Sequence, residues 1–274
     1  MSYKMIVLDL DDTLLRDDHS ISVRTKDALM KAQELGVKVV LASGRPTFGM
    51  RHIAQELNLD HYGSFILSFN GGKIINCSTE EEMFSSTLSP EAIHKLYEVS
   101  VREGVFIHTY MGDEIITQDE NPYTDIEANL TGLPIKVVPN FVNAVNEPVV
   151  KSLMVGPPEQ LKEVERKLQT ELADEFSIMR SKPYFLEFTE KGVTKGTSLD
   201  QLIQACGIKR EEVISIGDSY NDLSMIEFAG LGVAMGNAPD DIKEIADLVT
   251  ETNMNDGVAK VVEEFILLAY QVKA

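Results

Sequence analysis

The sequence predicts an α/β fold: a doubly wound, mostly parallel Rossmann-like core sheet carrying an inserted α+β module. Three observations predict it. Residues 5–8 are a continuous apolar run with β-branched Ile6 and Val7 inside it, the pattern of a strand buried on both faces. Similar short runs alternate with helical segments up to Asn76 and again from Lys195 onward. Between them, residues 85–188 alternate strands and helices without acidic strand ends, which sets that stretch apart.

The elements follow in order. Ser22 caps a helix to about Leu35, and Gly36 ends it. Residues 37–42 form a second buried strand that stops at Ser43-Gly44-Arg45-Pro46. A small hydroxyl followed by glycine at a strand end makes a phosphate-sized concavity, and Pro46 suits the first turn of a helix to about Leu57. A third strand, 64–69, ends at Asn70-Gly71-Gly72, a hairpin signal, with residues 73–76 returning from it. In the inserted module, Ser89-Pro90-Glu91 opens a helix to about Glu103, and residues 105–110 and 114–117 make a hairpin. Residues 130–148, rich in Pro, Asn and Val, carry no clear period. A strand at 149–155, a charged amphipathic helix at 157–172 and a second hairpin at 176–180 and 184–188 complete the module. The first pattern then resumes. Lys195 opens a helix that Gly207 stops, and strand 213–216 ends in Gly217-Asp218-Ser219-Tyr220-Asn221-Asp222. A helix to Ala229, a strand at 232–235, a Gly-Asn-Ala turn, a helix at 239–246 and a last helix from about Val258 follow.

Composition bounds the function. The 274 residues suit one large domain or two smaller ones, and the 43% hydrophobic and 25% charged content are those of a soluble globular chain. A net charge of −19 with no basic stripe argues against nucleic acid and against anionic membranes. Such a protein binds phosphate only with a local cation or metal to overcome its field. Cys77 and Cys206 lack CxxC spacing and read as free, fairly buried thiols in a reducing compartment. The five histidines form no zinc pattern. No signal-peptide layout is visible, and the apolar run at 265–270 is too short to span a bilayer, so a cytoplasmic protein is expected. Oligomeric state is not written in these features.

The chemistry lies at the strand ends. Asp9, Asp11 and Asp12 follow the first strand, and three acids in four residues repel each other unless a cation or a shared proton relieves them. Alone they read equally well as an acidic cap and turn. A lone Ser-Gly is usually a turn, a lone helix-start lysine is usually solvated, and Asp-x-x-x-Asp often caps a helix. Together, Asp9 with Asp11, Ser43-Gly44, Lys195, and Asp218 with Asp222 all fall at carboxyl ends of sheet strands or at a helix start, where open α/β sheets hold ligands. Carboxylates clustered there call for a hard divalent cation, and a lysine with a hydroxyl calls for an anion. Oxygen-only ligands select magnesium over zinc or iron.

These residues resemble the four motifs of the haloacid-dehalogenase superfamily of phosphotransferases: Val-Leu-Asp9-Leu-Asp11-Asp-Thr13, then Ser43, Lys195, and Gly-Asp218-Ser-Tyr-Asn221-Asp222. Only 34 positions separate Asp9 from Ser43, whereas 152 separate Ser43 from Lys195. That spacing is similar to the Cof-type branch, subfamily IIB, and in layout to YidA-type sugar phosphatases. The resemblance implies a catalytic core over residues 1–84 and 189–274 and a C2-type α/β cap over 85–188. It implies a phosphatase that hydrolyses small phosphorylated metabolites, sugar phosphates foremost, with Mg2+ as cofactor. Asp9 would be the nucleophile that forms an aspartyl-phosphate, and Asp11 the general acid and base. Ser43, the Leu10 and Gly44 amides, Lys195 and Asn221 would hold the phosphate. Asp9, the Asp11 carbonyl and Asp218 would bind the metal, with Asp222 orienting its waters. Arg45 and Asn70 fall at the rim, where they either contact substrate or serve structure. Tyr110, Arg180, Lys182 and Tyr184 are candidates for substrate choice in the cap, each otherwise ordinary hairpin surface. Two alternatives stay open: a non-catalytic phospho-ligand sensor on the same fold, and a sugar-phosphate mutase, which would use the same acid.

Overall fold

In the computed structural model, which describes residues 3–271, the chain divides into two units: Met1–Phe84 with Thr194–Ala274, and Ser85–Val193. The first unit's strands before the insertion are Met5–Leu8 (β1), Lys38–Ala42 (β2), Phe65–Ser68 (β3), Lys73–Asn76 (β4) and Glu82–Ser85 (β5). The second unit contributes Phe106–Met111 (β6), Glu114–Thr117 (β7), Ile135–Val137 (β8), Ser152–Val155 (β9), Phe176–Lys182 (β10) and Phe185–Glu190 (β11). Val213–Gly217 (β12), Leu231–Ala234 (β13) and Leu248–Val249 (β14) then return to the first sheet.

That sheet has the order β14-β13-β12-β1-β2-β3-β4-β5 and is parallel from β14 to β3, with β4 antiparallel to β3. The reason β1 is apolar throughout is visible in where its side chains go. Ile6 and Leu8 pack on one face with Leu29, Ile53 and Val261 from helices, while Met5 and Val7 pack on the other with Leu199, Leu202 and Met225. All four are fully buried, and each such side chain contributes roughly 1.5–3 kcal/mol of burial. Chain order runs away from β1 in both directions, β2-β3 to one side and β12-β13-β14 to the other. That makes β1 the topological switch point, whose carboxyl end opens a crevice.

The structure departs from the sequence expectation in places with identifiable causes. β1 does not pass into a simple acidic turn. Leu14 and Leu15 donate back five residues, to the Asp9 carbonyl (3.2 Å) and the Leu10 carbonyl (2.8 Å), forming a wide turn over Leu10–Leu14. Asp11 is extended inside it and Asp12 left-handed (φ 63°). Asp12 holds that conformation with its carbonyl bonded by Asn237 Nδ2 at 2.8 Å. The expected helix after Pro46 is broken into a short 3-10 turn, Phe48–Met50, and Arg51–Glu56. β5 went unread because it is largely exposed and carries no buried apolar run, and β14 because it has two residues. The second unit extends to Val193 rather than 188, because β11 pairs with β10 as far as Glu190. Among the described residues no helix is long and apolar enough to cross a membrane. Cys77 and Cys206 are free thiols, and burial pushes Cys77 up to about 12, which keeps it inert.

The second unit is a six-stranded sheet, β10-β11-β9-β6-β7-β8, mostly antiparallel. Alternation along β6 separates its faces. Ile107 joins an apolar cluster with Leu96, Phe141, Leu161 and Leu168, drawn from the helices Pro90–Glu103, Phe141–Ala144 and Pro158–Glu171. The alternate residues His108 and Tyr110 meet the helix Pro122–Thr131, which occupies part of the unassigned stretch and the residues before it. Asn121 caps that helix, accepting from the Tyr123 and Thr124 amides. Here lies a buried polar network. His108 Nδ1 is 3.0 Å from Thr124 Oγ1, the Tyr110 hydroxyl donates to Glu127, and Lys151 pairs with Glu187 at 3.1 Å. Tyr110 is therefore interior. Arg180 is paired with Glu165, and Tyr184 stacks on Tyr123.

Burial, aided by Lys151, holds the His108 imidazole down at about 3. The unfolded chain takes up a proton near pH 6.5 while the folded unit does not. Stability present above pH 6.5 is therefore lost as pH falls toward 3, by about 2 kcal/mol at pH 5. His108→Gln should flatten that loss. Hydrogen exchange of the Phe106–Met111 amides at pH 7 and pH 5, corrected for intrinsic rates, reads it.

Candidate active site

The crevice at the carboxyl end of β1 begins with Asp9, whose amide still donates to the Ile216 carbonyl of β12 at 3.0 Å. This last sheet bond fixes the backbone, so the Asp9 side chain leaves the strand from a rigid point. It meets Lys195, the first residue of the helix Lys195–Cys206. Thr194 caps that helix, its hydroxyl accepting from the Thr197 amide.

Lys195 is fully buried. Its ammonium has three protons, and three oxygens lie around it: Asp9 Oδ1 at 2.5 Å, Asp222 Oδ1 at 2.6 Å and the Ala42 carbonyl at 2.8 Å. Burial alone would push the lysine down, but Asp222 and Asp9 outweigh it and hold the group above its ordinary value. The charge is kept in a place with no water because its hydrogen bonds are complete.

Asp222 is engaged at both oxygens. Oδ1 holds Lys195, and Oδ2 accepts the Asp218 and Ser219 amides, each at 3.0 Å. The loop curls back over its own acid because Gly217 has no side chain. A Cβ there would fall 2.4 Å from Asp222 Cβ. Expected to orient water, Asp222 in this structure anchors the lysine and the turn. Asp218 receives the Thr13 hydroxyl at 2.9 Å and the Ser219 hydroxyl at 3.1 Å. Burial and then Asp222 raise Asp218 to about 6, against the pull of those two hydroxyls. Burial, and next the repulsion of Asp222, also holds Asp9 well above the carboxylate range, with Lys195 opposing.

Asp9, Asp218 and Asp222 are all buried and offer oxygens within 4.8 Å of one another. With all three ionised, three carboxylates against one ammonium leave two negative charges, and that repulsion is part of what favours protons on Asp9 and Asp218 until a cation takes their place. A hard divalent cation fits both the charge and the all-oxygen donor set. Asp9 and Asp218 are the carboxylates placed to hold it, since Asp222 is already engaged.

The expected phosphate residues form the neighbouring wall. Ser43 is buried, with its amide on the Leu67 carbonyl (2.9 Å) and its Oγ accepting from the Arg45 amide (3.2 Å). The Ser43 carbonyl accepts from the Asn70 amide at 2.9 Å, and Asn221 Nδ2 donates to Asn70 Oδ1 at 3.0 Å. A Cβ on Gly44 would sit 3.0 Å from Asn70 Nδ2, so glycine lets these two loops touch. Asn70 thus joins the loops after β2, β3 and β12, and it stands in the left-handed region (φ 55°) to do so. Leu10 is buried at the start of the wide turn. Asp11 stands apart: its carboxylate is outside the cluster of three and lies against Arg45. Sequence reasoning overlooked Thr13 and Ser219 as partners of Asp218, and Asn237, which accepts from the Asn253 amide while holding Asp12. The Gly-Asn-Ala turn was the available signal for Asn237; Asn253 had none.

The profile of the haloacid dehalogenase-like hydrolases matches residues 6–262. The 5-amino-6-(5-phospho-D-ribitylamino)uracil phosphatase YcsE of Bacillus subtilis (strain 168) is 31% identical over 266 residues, which cover 96% of each chain. A crystal structure of a haloacid dehalogenase-like hydrolase from Bacteroides thetaiotaomicron superposes with a TM-score of 0.90 at 46% identity, covering 96% of this chain and 99% of that one. The HAD subclass IIB sugar phosphatase BT4131 superposes with a TM-score of 0.79 at 29% identity, covering 96% and 98%.

Replacing Lys195 by Met should lower the unfolding free energy of the first unit by about 3–5 kcal/mol, since two buried carboxylates lose their cation. The deficit should shrink toward pH 5, where the acids are neutralised by protons. Urea denaturation at pH 7.5 and pH 5 measures both.

Proposed function

The chain belongs to the haloacid dehalogenase-like hydrolase family, and from that premise we propose that it is a magnesium-dependent phosphatase of small phosphorylated metabolites, sugar phosphates foremost. The observation that carries this reading is Asp9, a buried carboxylate held by Lys195 at the switch point of the sheet beside Asp218 and Asp222.

Lys195 occupies Asp9 Oδ1, which leaves Oδ2 to attack phosphorus in line. The phosphorus–oxygen ester bond breaks, and Asp11 gives its proton to the departing oxygen. The product on the enzyme is an aspartyl-phosphate. Asp11, now ionised, takes a proton from water, the water oxygen attacks phosphorus, and the Asp9–phosphorus bond opens to release inorganic phosphate. The Ser43 hydroxyl, the Leu10 and Gly44 amides and Asn221 hold the equatorial oxygens where charge gathers, and Lys195, its three protons engaged by Asp9, Asp222 and the Ala42 carbonyl, adds its positive charge from behind Asp9. Asp9, Asp218 and the Asp11 carbonyl would hold a divalent cation, which would neutralise phosphate charge. Thr13 and Ser219 keep the Asp218 carboxylate aimed, and Asp222 keeps Lys195 in place.

An acid at position 11 favours turnover of phosphate esters over a long-lived phosphoenzyme. We read Ser85–Val193 as the C2-type cap that selects the leaving group. The full-length likeness to a sugar phosphatase, which takes in both units, supports that. The two free thiols suit a cytoplasmic setting.

EDTA should abolish hydrolysis of p-nitrophenyl phosphate and of a hexose 6-phosphate, and Mg2+ should restore it; full activity in EDTA would sink the metal site. Asp9→Asn should abolish turnover of both. Asp11→Asn should lower kcat/KM on the hexose phosphate by about 100-fold or more and be milder toward p-nitrophenyl phosphate, whose leaving group needs no proton. Steady-state kinetics on the two substrates decides it.

A further inference from the structure

Arg45 is one residue beyond the phosphate wall, and the charge it carries points to Asp11. Its guanidinium takes the carboxylate as a fork, Nε to Oδ2 at 2.9 Å and Nη2 to Oδ1 at 2.5 Å. Both ends of that fork stand on fixed backbone. The Arg45 amide is bonded to Ser43 Oγ, and its carbonyl accepts from the Phe69 amide at 3.0 Å. Asp11 sits in the wide turn after β1, which Asn237 pins through the next residue's carbonyl. The pair therefore ties the loop bearing the nucleophile to the loop bearing Ser43. It is too exposed, at 21% and 46% of the two side chains, to matter much for stability.

Its importance is geometric. With both arms closed, each Asp11 oxygen already accepts an arginine N–H, so neither carries the proton that a leaving oxygen needs until one arm opens and the freed oxygen takes a proton from water. We infer that Arg45 is a positioning residue that parks Asp11 and yields one arm of the fork to the substrate, the other arm keeping the carboxyl aimed. The freed N–H then faces the leaving group, so a substrate with a hydroxyl or other oxygen beside the ester compensates the arginine for the bond it gives up. A planar fork is needed for that exchange, and a lysine point charge does not reproduce it.

The inference rests on the proposed role of Asp11, and a double-mutant cycle separates the two. Arg45→Ala should lower kcat/KM on a hexose 6-phosphate by about tenfold to 100-fold, the scale of a misplaced catalytic group. It should leave p-nitrophenyl phosphate within about threefold, and the loss should nearly vanish in the Asp11→Asn background. Arg45→Lys should recover KM more than kcat. Thermal midpoints of the variants, expected within a few degrees of the parent, exclude unfolding as the cause. Equal losses of Asp11→Asn on both substrates overturn the reading of Asp11 and this inference with it. A selective Asp11→Asn whose effect multiplies in full with that of Arg45→Ala overturns the inference alone. So does an Arg45→Ala loss that is the same on both substrates, which would make Arg45 a phosphate ligand.

Discussion

The buried ammonium of Lys195 is the contact on which the site depends. Its three acceptors come from three separate strand ends: Asp9 after β1, Ala42 at the end of β2 and Asp222 beyond β12. Removing water from a lysine is expensive, and only a complete shell of oxygens offsets it. The shell in turn requires those strands to be in register. The geometry of the acid cluster and sheet registration are therefore one condition, enforced by one nitrogen atom. The same contact sets the electrostatics. It tempers Asp9 without neutralising the cluster, and the residual negative charge is what a cation can use.

Much of this was legible from residues alone, for reasons that differ along the chain. The strand β1 was readable because a strand buried on both faces must be apolar at every position. The helix Lys195–Cys206 was readable because its end is chemically marked, by Gly207 in the left-handed region after it. The acids could be grouped because each follows a buried strand. What escaped were features that depend on partners remote in sequence. Nothing local to Asp222 says that its two oxygens go to Lys195 and to its own loop. The wide turn at Leu10–Leu14 is fixed from Asn237, far along the chain. The helix Pro122–Thr131 has an asparagine cap and a proline at its first turn, yet its apolar face is weak because it covers a polar sheet face. Tyr110 was read as surface for the same reason, since a tyrosine bonded to a glutamate looks alike in sequence whether wet or buried.

The two units solve burial of charge differently. In the first, the ionisable groups are gathered at one sheet end, where a ligand can reach them. In the second, Lys151, Glu187, Glu127, Tyr110 and His108 are paired among themselves or with the helix over them. A network of that kind gives a rigid, uniquely packed face, with His108 Nε2 the member left without a hydrogen-bond partner.

The division of the first unit across the insertion has a consequence during synthesis. Asp9 and Lys195 are 186 positions apart, and Thr13 and Asp218 are 205 apart. A ribosome releases β1 to β5 early, but the strand that completes the other side of β1 begins only at Val213. The second unit, with its own apolar cluster, is whole before then and is free to fold while the first sheet still has an open central edge. Until β12 arrives, the sheet stops at β1, and Asp218 and Asp222 are missing from the site. A chain that stops before Val213 therefore lacks two of the three clustered acids, and the site is completed only late in translation.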